Sequence, residues 1–169
     1  MPTAIVATPG ASNANSYVTL AEANTYFGDR LHVSAWTSAT DNDKNAALLW
    51  AAKLLDRSVM INGTRASTTQ ALNWPRDGME DESGNEIDNT VVPQVVKDVQ
   101  CEMALLLLSS DRSLENQASA QGLTSLKAGP VALSFKDTIK VNIVPDTLLA
   151  MFPVSWLGST LVPHPIVVS

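Results

Sequence analysis

Apolar residues recur at helical spacing in three stretches of the chain and at alternate positions in a fourth. Leu20, Ala23, Tyr26 and Phe27 share one face of a helix predicted to begin near Leu20. Thr19 followed by Glu22 is the capping-box pattern, and Gly28 is a natural stop. Leu48, Ala51, Ala52, Leu55 and Val59 form a second helical stripe. Its helix starts after Thr40, with Asp41 and Asp43 at the positive end of the dipole. Leu49 and Trp50 fall off that stripe, toward Lys53 and Arg57. Trp50 therefore either packs beneath a neighbouring loop or offers a contact face to another subunit. A third helix opens at Pro93, a residue tolerated in the first turn. It carries one stripe through Val95, Val96, Val99, Met103, Leu106 and Leu107, and a second through Cys101, Ala104, Leu105 and Leu108. A helix apolar nearly all round belongs in the middle of a bundle or at a subunit interface. Leu49, Trp50, Leu105 and Leu108 are the candidate intersubunit contacts.

The period changes after residue 122. Val131, Leu133 and Phe135 alternate with small or polar residues, as do Ile139, Val141 and Ile143, and Gly129-Pro130 supplies a turn. These runs predict a β-hairpin with a possible third strand. Pro145-Asp146 starts a short helix through "TLLAMF". The expected plan is mainly α: an extended or frayed N-terminal arm over 1–16, a small helical bundle over 17–122, a hairpin over 123–144, and a short helix with an extended C-terminal tail over 145–169. The tail holds Pro153, Pro163 and Pro165 together with Trp156, Leu161, Val162, Ile166 and Val167. Proline removes donors and biases the chain toward extended conformations, so an apolar tail of this kind is expected to dock on another surface.

The 169 residues suffice for one domain with a real core, and 45% are hydrophobic. Charged residues make up only 17%, and the net charge is −6. Affinity for nucleic acid rests on Lys and Arg displacing counterions, so eleven scattered cations argue against tight wrapping of DNA. A single cysteine, Cys101, excludes an internal disulfide and reads as a small buried hydrophobe. No signal peptide or membrane-spanning run is visible, so synthesis and folding in a reducing cytoplasm are expected.

Candidate chemistry is sparse. No phosphate-loop, dinucleotide, paired-cysteine, zincin or nucleophile-elbow motif occurs. The acidic stretch "RDGMEDESGNEIDN" fits no calcium-loop register, and His32 and His164 both look peripheral. No catalytic residue, metal ligand or cofactor is therefore assigned. The stretch "QALNWPRDGM" over residues 70–79 stands out, because turn chemistry explains Pro75, Asp77 and Gly78 but not Trp74. The expectation is that Trp74 fastens the loop to the bundle, Pro75 fixes its exit and Arg76 pairs with a nearby carboxylate. The alternative is that Trp74 and Arg76 touch a neighbouring subunit.

The order of "SYVTLAEANTYFGDRL", "AWTSATDNDKNAALLWAAKLLDR", "QALNWPRDG" and "VPQVVKDVQCEMALLL" resembles the head–tail connector (adaptor) proteins of tailed bacteriophages, related sequences of which are also labelled DnaT-like single-stranded DNA-binding proteins. The resemblance covers about residues 14–110, and Tyr17, Trp36, Trp74, Pro75 and Arg76 are its marker positions and candidate structural anchors. It implies a non-catalytic ring subunit, dodecameric in the family, placed in the virion neck beneath the portal protein. Its partners would be neighbouring copies, the portal, and tail or neck proteins. DNA would pass through the channel without sequence-specific binding, and no membrane is involved. Trp156, Leu161, Val162, Ile166 and Val167 would form the portal-docking tail. The DnaT-like label implies instead a single-stranded DNA-binding accessory protein, which needs cations and aromatic platforms on one surface.

Overall fold

The computed structural model describes residues 3–110, 125–128, 131–134 and 143–158, and the fold is mainly α. Helix α1 spans Leu20–Gly28, α2 Ser34–Ser38, α3 Asp41–Ser58, α4 Gln94–Ser109 and α5 Asp146–Leu149, followed by a 3-10 turn at Val154–Trp156. The capping box at α1 is complete: Thr19 Oγ1 accepts from the Glu22 N–H at 3.2 Å, and Glu22 Oε2 accepts from the Thr19 N–H at 2.7 Å. Thr40 caps α3 by accepting from the Asp43 N–H. Pro93 sits one residue ahead of α4, at the cap itself. Helix α2 was not expected; it is too short for periodicity to reveal. Among the described residues no helix is long and apolar enough to cross a membrane.

The most extensive contact between elements joins α3 and α4, and α1, α2 and α5 pack against this pair. Leu48, Ala51, Ala52, Leu55 and Val59 are all buried, as the stripe on α3 predicts. Of the two places expected for α4, the middle of a bundle or a subunit interface, the second stripe takes the first over most of its length. Cys101, Ala104 and Leu105 are buried within their own chain. Leu105 is 7% exposed and is therefore not an intersubunit contact. The extra helix α2 is the physical reason, since it covers part of α4 that the predicted elements leave bare.

The N-terminal segment is fastened rather than frayed. Asn15 Oδ1 accepts from the Val6 N–H at 2.7 Å, and the Ala71 N–H donates to the Ala11 carbonyl at 3.1 Å. Deeper in, the fully buried Gln100 of α4 reads the incoming chain. Its Oε1 accepts from the Tyr17 N–H at 2.8 Å, while its Nε2 donates to Ser16 Oγ at 2.7 Å and to the Leu48 carbonyl at 2.9 Å. A buried amide is tolerated because its polar atoms are paired.

Two short antiparallel ladders complete the description. Strands β1 (Thr64–Arg65) and β2 (Arg76–Asp77) pair within the loop region between α3 and α4. Gly63 leads into this ladder at φ +74°, where an added Cβ would lie 2.6 Å from the Asp77 carbonyl. Strands β3 (Ser125–Ala128) and β4 (Val131–Ser134) pair as the predicted hairpin, with Leu126 opposite Leu133. The proposed third strand falls largely outside the described residues, as do Leu161, Val162, Ile166 and Val167.

Candidate functional site

Locating the four tryptophans decides which aromatic surface is free. Trp36, on α2, is 2% exposed; its ring lies 4.4 Å from that of Phe27 and its Nε1–H donates to Asn24 Oδ1. Trp74 is buried, at a ring distance of 5.3 Å from Trp156. The Trp74–Pro75 peptide is cis, and the Pro75 ring lies 3.9 Å from where a Cβ on Gly10 would stand. The loop anchor expected of Trp74 is thus local, and its partner comes from far along the chain.

That partner overturns one expectation. Trp156 is 4% exposed, and its Nε1–H donates to the Glu80 carbonyl at 2.6 Å. The Asn62 N–H donates to the Trp156 carbonyl at 2.7 Å, and the Gly158 N–H to the Met60 carbonyl at 2.9 Å. Residues 153–158 fold back onto their own subunit, so Trp156 is not a portal-docking anchor. Pro153 caps the 3-10 turn at Val154–Trp156, and Leu157 then bridges to Ile61, so the segment settles along the loop after α3.

Arg76 is corrected as well. Its guanidinium donates to the carbonyls of Ile61, Asn62, Gly63 and Asn73, at 2.7–3.2 Å, and not to a carboxylate. Burial lowers its pKa. Tyr17 is buried and its hydroxyl donates to the Asp56 carboxylate. Asp56 also accepts from the Asn73 N–H at 2.9 Å, and its own carbonyl accepts from Asn73 Nδ2 at 2.8 Å. Burial pushes the Asp56 carboxyl up, and it pushes the Tyr17 hydroxyl well above its ordinary range, with the neighbouring Asp56 adding to that rise. Asp56, Asn73 and Gln100 carry no motif. A polar residue inside an apolar helical stripe, as at Gln100, is the one signal that points to such a role.

Trp50 is different: it is 42% exposed. It sits on the outer face of α3, where Asp43, Ala46, Trp50, Lys53 and Arg57 form one exposed stripe. Lys53 Nζ lies over the indole at 5.9 Å from its centroid. Beside the ring runs an open groove of about 830 Å³, with Ala35, Ala39, Ala46, Leu107 and Leu108 along it. Leu49 and Leu108 are half-buried. The remaining cations with described side chains are committed elsewhere. Arg30 forms a two-pronged pair with Glu102, at 2.5 and 2.9 Å, and Tyr26 donates to the same carboxylate. Lys97 pairs with Glu22 at 2.7 Å and Lys44 with Asp41 at 3.7 Å. Arg65 donates to the Gln70 and Leu72 carbonyls.

Negative charge is concentrated at another place. Residues 77–88 carry Asp77, Glu80, Asp81, Glu82, Glu86 and Asp88 with no Lys or Arg, which matches the whole chain's −6. All six are exposed. Among the described residues no group of His, Cys, Asp and Glu is arranged to hold a metal.

These features define a mainly α protein with an open aromatic and basic surface on α3 and a separate acidic loop. The chain belongs to the family described as "Putative DnaT-like ssDNA binding protein", whose model matches residues 3–160. No curated protein and no solved structure matches it.

Proposed function

We propose that this protein binds single-stranded DNA, non-catalytically, weakly and without sequence readout. The observation that carries the reading is the family match over residues 3–160. The charge distribution sets its strength. With the net negative charge gathered in residues 77–88, few counterions are released on contact, so affinity at physiological salt is low. Fluorescence anisotropy of a labelled oligo(dT) at low and moderate salt tests this. Saturable binding that weakens as salt rises supports it; absence of binding at the lowest salt sinks it.

A second reading is a head–tail adaptor subunit that assembles as a ring in a phage neck, against the portal and tail or neck proteins. The open groove beside Trp50 favours it, since a wide groove of mixed apolar and polar lining suits a protein partner. The family's description favours the first reading over this one. Electron microscopy of the protein mixed with portal separates them: a closed ring seated on the portal supports the adaptor, and free protein beside undecorated portal counts against it.

A further inference from the structure

We infer that the outer face of α3 is where single-stranded nucleic acid binds, a base stacking on Trp50 while Lys53 and Arg57 hold phosphates. The inference rests on the DNA-binding reading above and assigns the site for it. Sequence-tolerant recognition of single strands needs an exposed aromatic face and cations free to leave their counterions. The tryptophan census leaves one indole for that task, because Trp36, Trp74 and Trp156 are all buried. Among the cations with described side chains, two are left. Arg30, Lys44 and Lys97 face carboxylates, and Arg65 and Arg76 are used on backbone carbonyls. Lys53 and Arg57 have no carboxylate or carbonyl partner among the described residues.

The two lists converge on one helix face. Trp50, Lys53 and Arg57 stand three and four residues apart, so they line up on α3 over roughly 10 Å at 1.5 Å per residue. The groove beside Trp50 gives a base room to lie against Ala46 and Leu107 while its other face meets the indole. Lys53 already lies over the ring, which places positive charge at the edge of a stacked base. Asp43 lines the end of the groove away from Lys53, its carboxylate accepting from Thr40 Oγ1 at 2.7 Å in its own cap. The strand is therefore expected to run toward Arg57 and away from Asp43.

The test is a titration of the full chain with oligo(dT), read by Trp50 fluorescence and by anisotropy. Trp50→Ala should weaken binding by roughly tenfold, given the usual worth of one stacked base, and Trp50→Phe should restore most of it. Lys53→Gln with Arg57→Gln should flatten the salt dependence, from a log–log slope of about −1.4 for two phosphates on a single strand toward zero. All substitutions are on an exposed face, and circular dichroism checks that each variant is folded. If the wild type binds and the variants bind equally well, the site lies elsewhere while the DNA-binding reading stands. If the wild type does not bind at low salt, both fail. If poly-glutamate binds as tightly as oligo(dT) and Trp50→Ala leaves oligo(dT) affinity unchanged, the face is an acidic-protein dock, and the assignment to nucleic acid is overturned.

Discussion

Replacing Trp156 by alanine tests whether residues 153–158 are part of the folded body. The ring is 4% exposed, packs 5.3 Å from Trp74 and donates its Nε1–H to the Glu80 carbonyl. Truncating a buried tryptophan costs about 3–5 kcal/mol, and the orphaned carbonyl adds to the upper end of that range. In a chain of this size each kcal/mol lowers the melting temperature by roughly 2–4 °C, so a fall of about 6–20 °C is expected. Trp74→Ala should cost a similar amount, because its ring loses the same neighbour. The double variant should fall short of the sum by about 1–2 kcal/mol, since the two rings share one contact. The measurement is urea unfolding followed by far-ultraviolet circular dichroism, which does not depend on the removed fluorophores. A Trp156→Ala variant within about 1 kcal/mol of wild type, beside a strongly destabilised Trp74→Ala, would refute the reasoning and return the segment to the role of a detachable tail.

Two further outcomes follow from polar groups in the fold. Gln100→Leu keeps the apolar volume but strands the buried Tyr17 N–H, while Ser16 Oγ retains its bonds to Val18, so a loss of about 1–3 kcal/mol in urea unfolding is expected. Glu22 feels some burial that would raise its pKa, but Lys97 and the Thr19 donors outweigh it and hold the carboxyl near 2, against an ordinary 4.5. A depressed folded pKa means that this contribution is complete above about pH 4.5 and is lost as pH falls toward 2. Thermal melts across that window should therefore show a smaller acid-induced loss for Glu22→Gln than for wild type.

The long elements were legible because burial and period coincide in them. Leu48, Ala51, Ala52 and Leu55 announce the inner face of α3, and Thr19 with Glu22 announces the start of α1. What sequence could not supply was pairing at long range. Trp74 signalled that it needed a partner, yet nothing local identifies Trp156, because an indole in a proline-rich stretch reads equally well as a free anchor. Arg76 has the same character: a guanidinium can satisfy carboxylates or carbonyls, and only the converging turn at Ile61, Asn62 and Gly63 selects carbonyls. For the candidate site, Trp50, Lys53 and Arg57 were visible as neighbours off the core stripe. Their standing as the uncommitted members of their kind required knowing where every other described indole and cation goes.

The clamp on the loop after α3 also bears on synthesis of the chain. Asn62 and Glu80 are bonded to residues 155–157, and Trp74 is covered by Trp156, about 80 residues later. At a translation rate of roughly 5–20 residues per second, the Trp74 indole waits on the order of 4–16 s for its cover. During that interval α3 and α4 can already pair, while the loop between them presents an uncovered apolar ring to the cell. The nascent protein thus passes through a stage in which that indole lacks its Trp156 neighbour, and the folding back of residues 153–158 ends it.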